Sequence, residues 1–149
     1  MHKYDVTVTT SASQETVWKL LVDAASWPRW SRIDSLETAR SVGLDPGGDD
    51  EVGAIRAFRT GRTVTGERLT EKIEPRLLGY EDAFVSSMSN YRARIELDPI
   101  PGVGTLIHWH GQYETSWLLR WFMPRYIRKF MQGMAEGLAR YAEECERTQ

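Results

Sequence analysis

Residues 90–98 read NYRARIELD, residues 104–116 read GTLIHWHGQYETS, and residues 123–145 read MPRYIRKFMQGMAEGLARYAEEC. In the first run Tyr91, Ala93, Ile95 and Leu97 alternate with Arg92, Arg94, Glu96 and Asp98. Period 2 with one apolar face is a strand half-buried against a core. The second run also alternates. Thr105, Ile107, Trp109, Gly111 and Tyr113 share one face, and Leu106, His108, His110, Gln112 and Glu114 share the other. The first set is the more apolar and points inward. In the third run Met123, Ile127, Phe130, Met134, Leu138, Tyr141 and Cys145 recur at steps of three or four, which is the stripe of a long amphipathic helix. Two strands joined through Pro99-Ile100-Pro101-Gly102 and followed by such a helix imply a sheet with the helix laid across it.

Working outward, residues 52–60, 62–74 and 77–87 are further strand-like runs. Gly61, Pro75-Arg76 and Ser89-Asn90 separate them. Short connections between successive runs predict an antiparallel meander. Residues 33–42 form a weaker strand, and the Gly/Pro-rich acidic stretch 43–51 reads as a solvated loop whose spacing does not fit a calcium loop. Residues 3–9 alternate as a first strand. Ser13 is placed to cap a helix carrying Val17, Trp18, Leu20, Leu21 and Ala24, and Pro28 suits the first turn of a second short helix at 25–30. Pro124 marks either the first turn of the long helix or its break from Trp117–Phe122. The order is strand, two short helices, six strands, long helix. It predicts an α+β fold in which a curved antiparallel sheet of about seven strands wraps the C-terminal helix and leaves a cavity between them.

The 149 residues suit one domain spanning 1–149. A net charge of −2 argues against a general nucleic-acid binder. The single cysteine, Cys145, excludes an internal disulfide framework and suits a reducing cytoplasm. No apolar signal-like segment opens the chain, and no window is long and apolar enough to span a bilayer. Six tryptophans beside six tyrosines and four phenylalanines point to a large apolar interior or an aromatic-lined cavity.

Several segments together resemble one family. They are Ser13-x-Glu15-x-Val17-Trp18, Leu20-Leu21-x-Asp23, Trp27-Pro28-x-Trp30, Val52-Gly53-Ala54-Ile55-Arg56, Glu67-x-Leu69-Thr70-x-x-x-x-Pro75, Leu78-Gly79-Tyr80, Asn90-Tyr91-Arg92, Gly104-Thr105-x-x-x-Trp109 and Met131-Gln132-Gly133-Met134 through Gly137-Leu138. In that order they resemble the START-like, or SRPBCC, superfamily, and within it the polyketide cyclase/dehydrase-like branch. The resemblance covers nearly the whole chain and implies the helix-grip fold. It implies a container rather than a single activity, because relatives include lipid carriers, aromatase/cyclases and chaperone activators.

Strand parity supplies the candidate lining. Trp109, Tyr113, Tyr91, Ile95, Tyr80, Phe84 and Leu69 point inward from the strands, and Met123, Ile127, Phe130 and Met134 from the helix. The same parity directs Glu67, Glu71 and Asp82 inward as candidate proton-transfer groups or polar anchors. The plainer alternative leaves them hydrated at the cavity rim or pairs them with Arg56 or Arg59 of the neighbouring strand. His108 and His110 share the outer face, where an exposed pair without metal is expected, since a third ligand could come only from a carboxylate or His2. Cys145 is crowded by Glu143, Glu144 and Glu146 and makes a poor nucleophile. No phosphate loop, nucleophile elbow or dinucleotide fingerprint is present, so no cofactor is expected. Trp117 to Phe130 interleaves large apolar residues with Arg120, Arg125, Arg128 and Lys129. It reads as the start of an amphipathic helix or as an entrance that touches an anionic membrane transiently. Gly133 and Gly137 inside the helix require close packing or room for a ligand.

Three functions remain open on these residues. The first is binding of a hydrophobic or aromatic small molecule of polyketide, isoprenoid or lipid type. The second is a cofactor-free cyclase or dehydratase using the carboxylates or tyrosines. The third is a protein-interaction role.

Overall fold

The computed structural model describes residues 1–84 and 88–149. Strand β1 (His2–Thr10) leads into helix α1 (Gln14–Val22) and the short helix α2 (Trp27–Trp30), with a 3-10 turn at Ala24–Ser26 between the two helices. Strands β2 (Ser35–Leu36), β3 (Ile55–Thr60), β4 (Thr63–Ile73), β5 (Leu77–Phe84), β6 (Met88–Ile100) and β7 (Gly104–Thr115) follow. Helix α3 (Met123–Arg147) closes the chain. Among the described residues the strands form one antiparallel sheet in the order β1-β7-β6-β5-β4-β3-β2. It is the α+β helix-grip arrangement that the strand and helix order implied. Sheet and helix shield a common apolar core.

Local chemistry sets the boundaries. Ser13 Oγ accepts the Thr16 N–H at 3.3 Å and starts α1. Gly61 and Gly102 take positive φ at the β3–β4 and β6–β7 turns, where a side chain would be strained. Pro124 sits in the first turn of α3, so the long helix begins at Met123, and Trp117–Phe122 stays outside it as turns. The weak strand expected at 33–42 shrinks to Ser35–Leu36. Beyond it Ser41 Oγ donates to the Glu37 carbonyl and accepts the Ala57 N–H, taking the place of ladder bonds. The end of the run 77–87, residues 85–87, lies outside the described residues.

The acidic loop at 43–51 is not simply solvated. Asp50 is buried and accepts from Arg56 Nε at 3.1 Å and from the Asp45 N–H at 2.7 Å. Lys72 Nζ reaches Asp49 and Glu51 at 2.6 and 2.8 Å. Burying Arg56 requires such partners, and its Nη2 also donates to the Leu21 carbonyl at 2.7 Å. The loop is therefore clamped to the sheet and to the end of α1.

The two halves of α3 have different tasks. Leu138, Ala139 and Ala142 are buried in the C-terminal half, and Thr10 Oγ1 of β1 donates to the Ala139 carbonyl at 3.0 Å. There the interior is closed. The N-terminal half of α3 stands over β3, β4 and β5, and there space remains.

Candidate functional site

That space is a cavity of about 260 Å³ between the first turns of α3 and the concave face of the sheet. A cavity of roughly 150 Å³ takes benzene, so this one has room for about two fused rings. Met123, Ile127, Phe130 and Met134 line it from the helix. Tyr80, Tyr91, Asp82 and Glu67 line it from the strands. Phe84 borders it as well. A bulge between Gly66 and Glu67 sets Phe84 opposite Gly66, and its ring fills the space that a side chain on Gly66 would take. The Arg40 guanidinium lies over that ring at 4.5 Å.

Four inward-pointing aromatic or aliphatic candidates do not reach the cavity surface. Trp109, Ile95, Leu69 and Tyr113 are fully buried in the packed interior. Trp109 is enclosed by Trp27, with ring centroids 5.6 Å apart and nearly perpendicular, and by Trp30 at 6.3 Å. Trp27 also stacks on Phe58 at 5.2 Å. These rings plug the closed end of the interior, so the wall expected at Trp109 is instead the wall's backing.

Glu71 corrects the parity. A bulge between Leu69 and Glu71 shifts the β4–β5 register. Leu69 stays inside, whereas Glu71 emerges on the outer face and binds Arg94 Nε and Nη2 at 2.9 and 3.2 Å. Residues past the bulge are displaced too, and Ile73 is exposed. Of the three carboxylates directed inward, Glu67 and Asp82 line the cavity, directly opposite each other on β4 and β5.

Glu67 is the chemically distinctive group. Its Oε2 is out of contact with solvent and has no hydrogen-bond partner among the described residues. Burial pushes its carboxyl up from the ordinary 4.5 to about 7, and the positive charge of Arg56 opposes only part of that rise. Arg56 is the cross-strand neighbour of Glu67 but spends its Nε on Asp50. Arg59 pairs with Glu37. Neither arginine therefore neutralises Glu67 by direct contact.

Beside Glu67 runs a chain of hydroxyls. Trp109 Nε1–H donates to Tyr80 Oη at 3.1 Å, Tyr80 Oη lies 3.4 Å from Tyr91 Oη, and Tyr91 Oη is hydrogen-bonded to Tyr4 Oη. Burial drives all three phenols well above their ordinary value, so they keep their protons at neutral pH. The cavity thus offers protonated hydroxyls and one carboxyl poised between its two forms, inside apolar walls.

Sequence reasoning missed several liners. Thr63 and Thr65 lie on the cavity side four and two residues before Glu67, and extending the strand parity backwards would have named them. Met131 sits one helical turn past Ile127 and belongs to the same stripe. Phe58, Thr60, Ile33, Met88 and Tyr126 carry no comparable signal, because their position depends on how β3 and the connections meet the helix. On the outer face, His108 and His110 are half-buried rather than free, with rings stacked at 4.5 Å.

A curved sheet gripping a long helix around an apolar cavity defines a START-like container. The chain belongs to the polyketide cyclase/dehydrase and lipid transport family, whose model matches residues 1–143. No curated protein matches it in sequence. Among solved structures it is similar to a START superfamily protein from Mycobacterium smegmatis, at 15% identity and a TM-score of 0.80, with 97% of this chain and 99% of that chain covered. It is also similar to the di-domain ARO/CYC StfQ of the steffimycin biosynthetic pathway, at 10% identity and a TM-score of 0.72, with 97% of this chain and 51% of that chain covered. A third likeness is to the Aha1 dimer from Colwellia psychrerythraea, at 15% identity and a TM-score of 0.68, with 93% of this chain and 97% of that chain covered. At these identities the likeness is one of fold.

Proposed function

We propose that the protein binds a hydrophobic, ring-bearing small molecule of polyketide, isoprenoid or lipid type between the sheet and α3, with Glu67 as its polar anchor. The observation that carries this is Glu67 Oε2, shielded from solvent and without a hydrogen-bond partner among the described residues, in a cavity walled by Met123, Ile127, Phe130 and Met134. A buried carboxyl oxygen without a partner is costly, and a ligand hydroxyl or amine would offset that cost. The methionines adapt to ligand shape. The neutral fluorescent amine N-phenyl-1-naphthylamine suits both the walls and the anchor, with its two fused rings inside and its phenyl ring at the entrance. It should bind saturably, and Thr65→Trp, which fills the cavity from a partly exposed position, should abolish the signal. Absence of saturable binding, or binding unchanged in Thr65→Trp, would refute the proposal.

A second reading, cyclase or dehydratase chemistry, is favoured by the same carboxyl. A pKa of about 7 lets Glu67 accept or give a proton at neutral pH, and the Tyr80 and Tyr91 hydroxyls can hold a carbonyl oxygen. The two readings part at Glu67→Gln. A carrier loses affinity for the natural molecule, retained on purification and identified by native mass spectrometry. An enzyme keeps binding it but no longer converts it.

The cavity entrance suits contact with an anionic membrane surface. Trp117, Leu118 and Trp121 are 65%, 75% and 77% exposed, and Phe122 and Tyr126 are exposed beside them. Arg120 stacks on Trp117 and Trp121 at 4.9 and 5.1 Å. Arg125, Arg128 and Lys129 follow, and no acid occurs between residues 115 and 135. Tyr126 belongs both to this patch and to the cavity lining. The single free thiol, Cys145, suits a reducing cytoplasm.

A further inference from the structure

The outer face of the sheet, opposite the cavity, carries a second constellation. His108 and His110 stand on β7 between Asp5 of β1 and Glu96 of β6. The register pairs Asp5 with His110 and Glu96 with His108, so the four residues alternate acid and imidazole across three strands. Diagonal contacts dominate. His108 Nε2 lies 2.9 Å from Asp5 Oδ1, and His110 Nε2 lies 2.6 Å from Glu96 Oε2. His108 Nδ1 lies 3.5 Å from that same Glu96 oxygen.

Proton counting shows a gap in this arrangement. Three imidazole nitrogens face carboxylate oxygens, and two neutral imidazoles carry one N–H each. With both imidazoles neutral and their Nε2 protons given to Asp5 and Glu96, His108 Nδ1 would stand without a proton 3.5 Å from a carboxylate oxygen. A cation between them removes that repulsion. The neighbouring guanidinium of Arg94 does not supply it, because Arg94 is held by Glu71.

We propose that Glu96, His108 and His110 bind a divalent transition-metal ion of the Zn²⁺ class. His108 Nδ1, His110 Nε2 and a Glu96 carboxylate oxygen would be the ligands, and His110 would carry its proton on Nδ1. One ligand atom from each of the three residues already lies within 4.8 Å of the others. Tetrahedral Zn²⁺ with bonds of about 2.0–2.1 Å needs separations near 3.3 Å, which side-chain rotation supplies. Asp5 is the positioning residue. It accepts the Nε2–H of His108 and so fixes the tautomer whose Nδ1 lone pair faces the ion. Nitrogen-rich borderline donors favour Zn²⁺ over Mg²⁺ or Ca²⁺. Three protein ligands leave a fourth position for water. The ion would tie β1, β7 and β6 together from the face that the cavity does not use.

The test is titration of the untagged full chain with ZnCl₂ by calorimetry, and with CoCl₂ by visible absorbance. One ion per chain should bind, with a four-coordinate cobalt spectrum and a higher thermal midpoint. His108→Ala and His110→Ala should each abolish saturable binding. Asp5→Asn should weaken it by roughly tenfold to a hundredfold. Cys145→Ser and His2→Ala should leave it unchanged. In wild-type protein, imidazole ¹H–¹⁵N spectra should show Zn²⁺ moving the rings of His108 and His110 and sparing His2, a readout that needs no variant. Half-saturation weaker than about 1 mM, or binding that survives both histidine substitutions, would overturn the site. An imidazolium signal at His108 that Zn²⁺ does not displace would also overturn it, and would show that a proton fills the gap.

Discussion

Replacing Glu67 with glutamine should stabilise the protein at alkaline pH and leave its stability unchanged near pH 4. In the folded chain the Glu67 carboxyl is raised from 4.5 to about 7, chiefly by burial. Below the unfolded value both states hold the proton, and the group contributes nothing. Between 4.5 and about 7 the folded state binds more protons than the unfolded one, so stability falls as pH rises. Above about 7 the penalty is complete. At about 1.4 kcal/mol per tenfold change in the ionisation constant, that displacement amounts to at most about 3 kcal/mol. Glutamine resembles the protonated acid in shape and cannot ionise, so it removes the pH-dependent part. Urea unfolding of both proteins from about pH 4 to about pH 8.5 reads the difference directly. The gap between them should open from near zero to about 3 kcal/mol in favour of the variant, half of it by roughly pH 6, midway between the unfolded and folded values. A constant gap, or a variant less stable than wild type at high pH, would refute the buried-carboxyl argument.

Other substitutions test the frame. A Cβ at Gly137 would collide with the Trp30 carbonyl oxygen, whereas one at Gly133 meets nothing within 4 Å. Gly137→Ala should therefore lower the thermal midpoint, and Gly133→Ala should raise stability by up to about 1 kcal/mol through helix propensity. Asp50→Ala strands Arg56 in the core and should cost about 3–5 kcal/mol in denaturant unfolding. Trp121→Ala together with Leu118→Ser should reduce co-sedimentation with vesicles containing phosphatidylserine while preserving the thermal midpoint. Binding of wild type that is equal on neutral vesicles and insensitive to salt would contradict the electrostatic part of that contact.

The sheet and the long helix were legible because each has a clean period. Arg92, Arg94, Glu96 and Asp98 face water for the same reason that Tyr91, Ala93, Ile95 and Leu97 do not. The cavity was legible only as far as periodicity persists. Two bulges interrupt β4–β5: the one past Leu69 sent Glu71 outward to Arg94, and the one beside Gly66 displaced Phe84. Neither leaves a mark in the alternation before it occurs. Depth was less legible still. Trp109 and Tyr91 both point inward, yet only Tyr91 borders the cavity, because Trp27 and Trp30 of α2 fill the space above Trp109. Where a short helix lands on a sheet is a tertiary outcome and has no local pattern. The glycines behaved similarly. The sequence required a reason for both Gly133 and Gly137, and the structure supplies a close approach at Gly137 alone.

The five methionines provide the most direct test of a ligand-filled cavity. Met88, Met123, Met131 and Met134 line it, and Met1 is exposed at the chain's start. With the methionine methyl groups labelled with ¹³C, addition of N-phenyl-1-naphthylamine should shift the four cavity signals and spare Met1. If the four stay still while the probe binds, the molecule sits elsewhere and the container account fails.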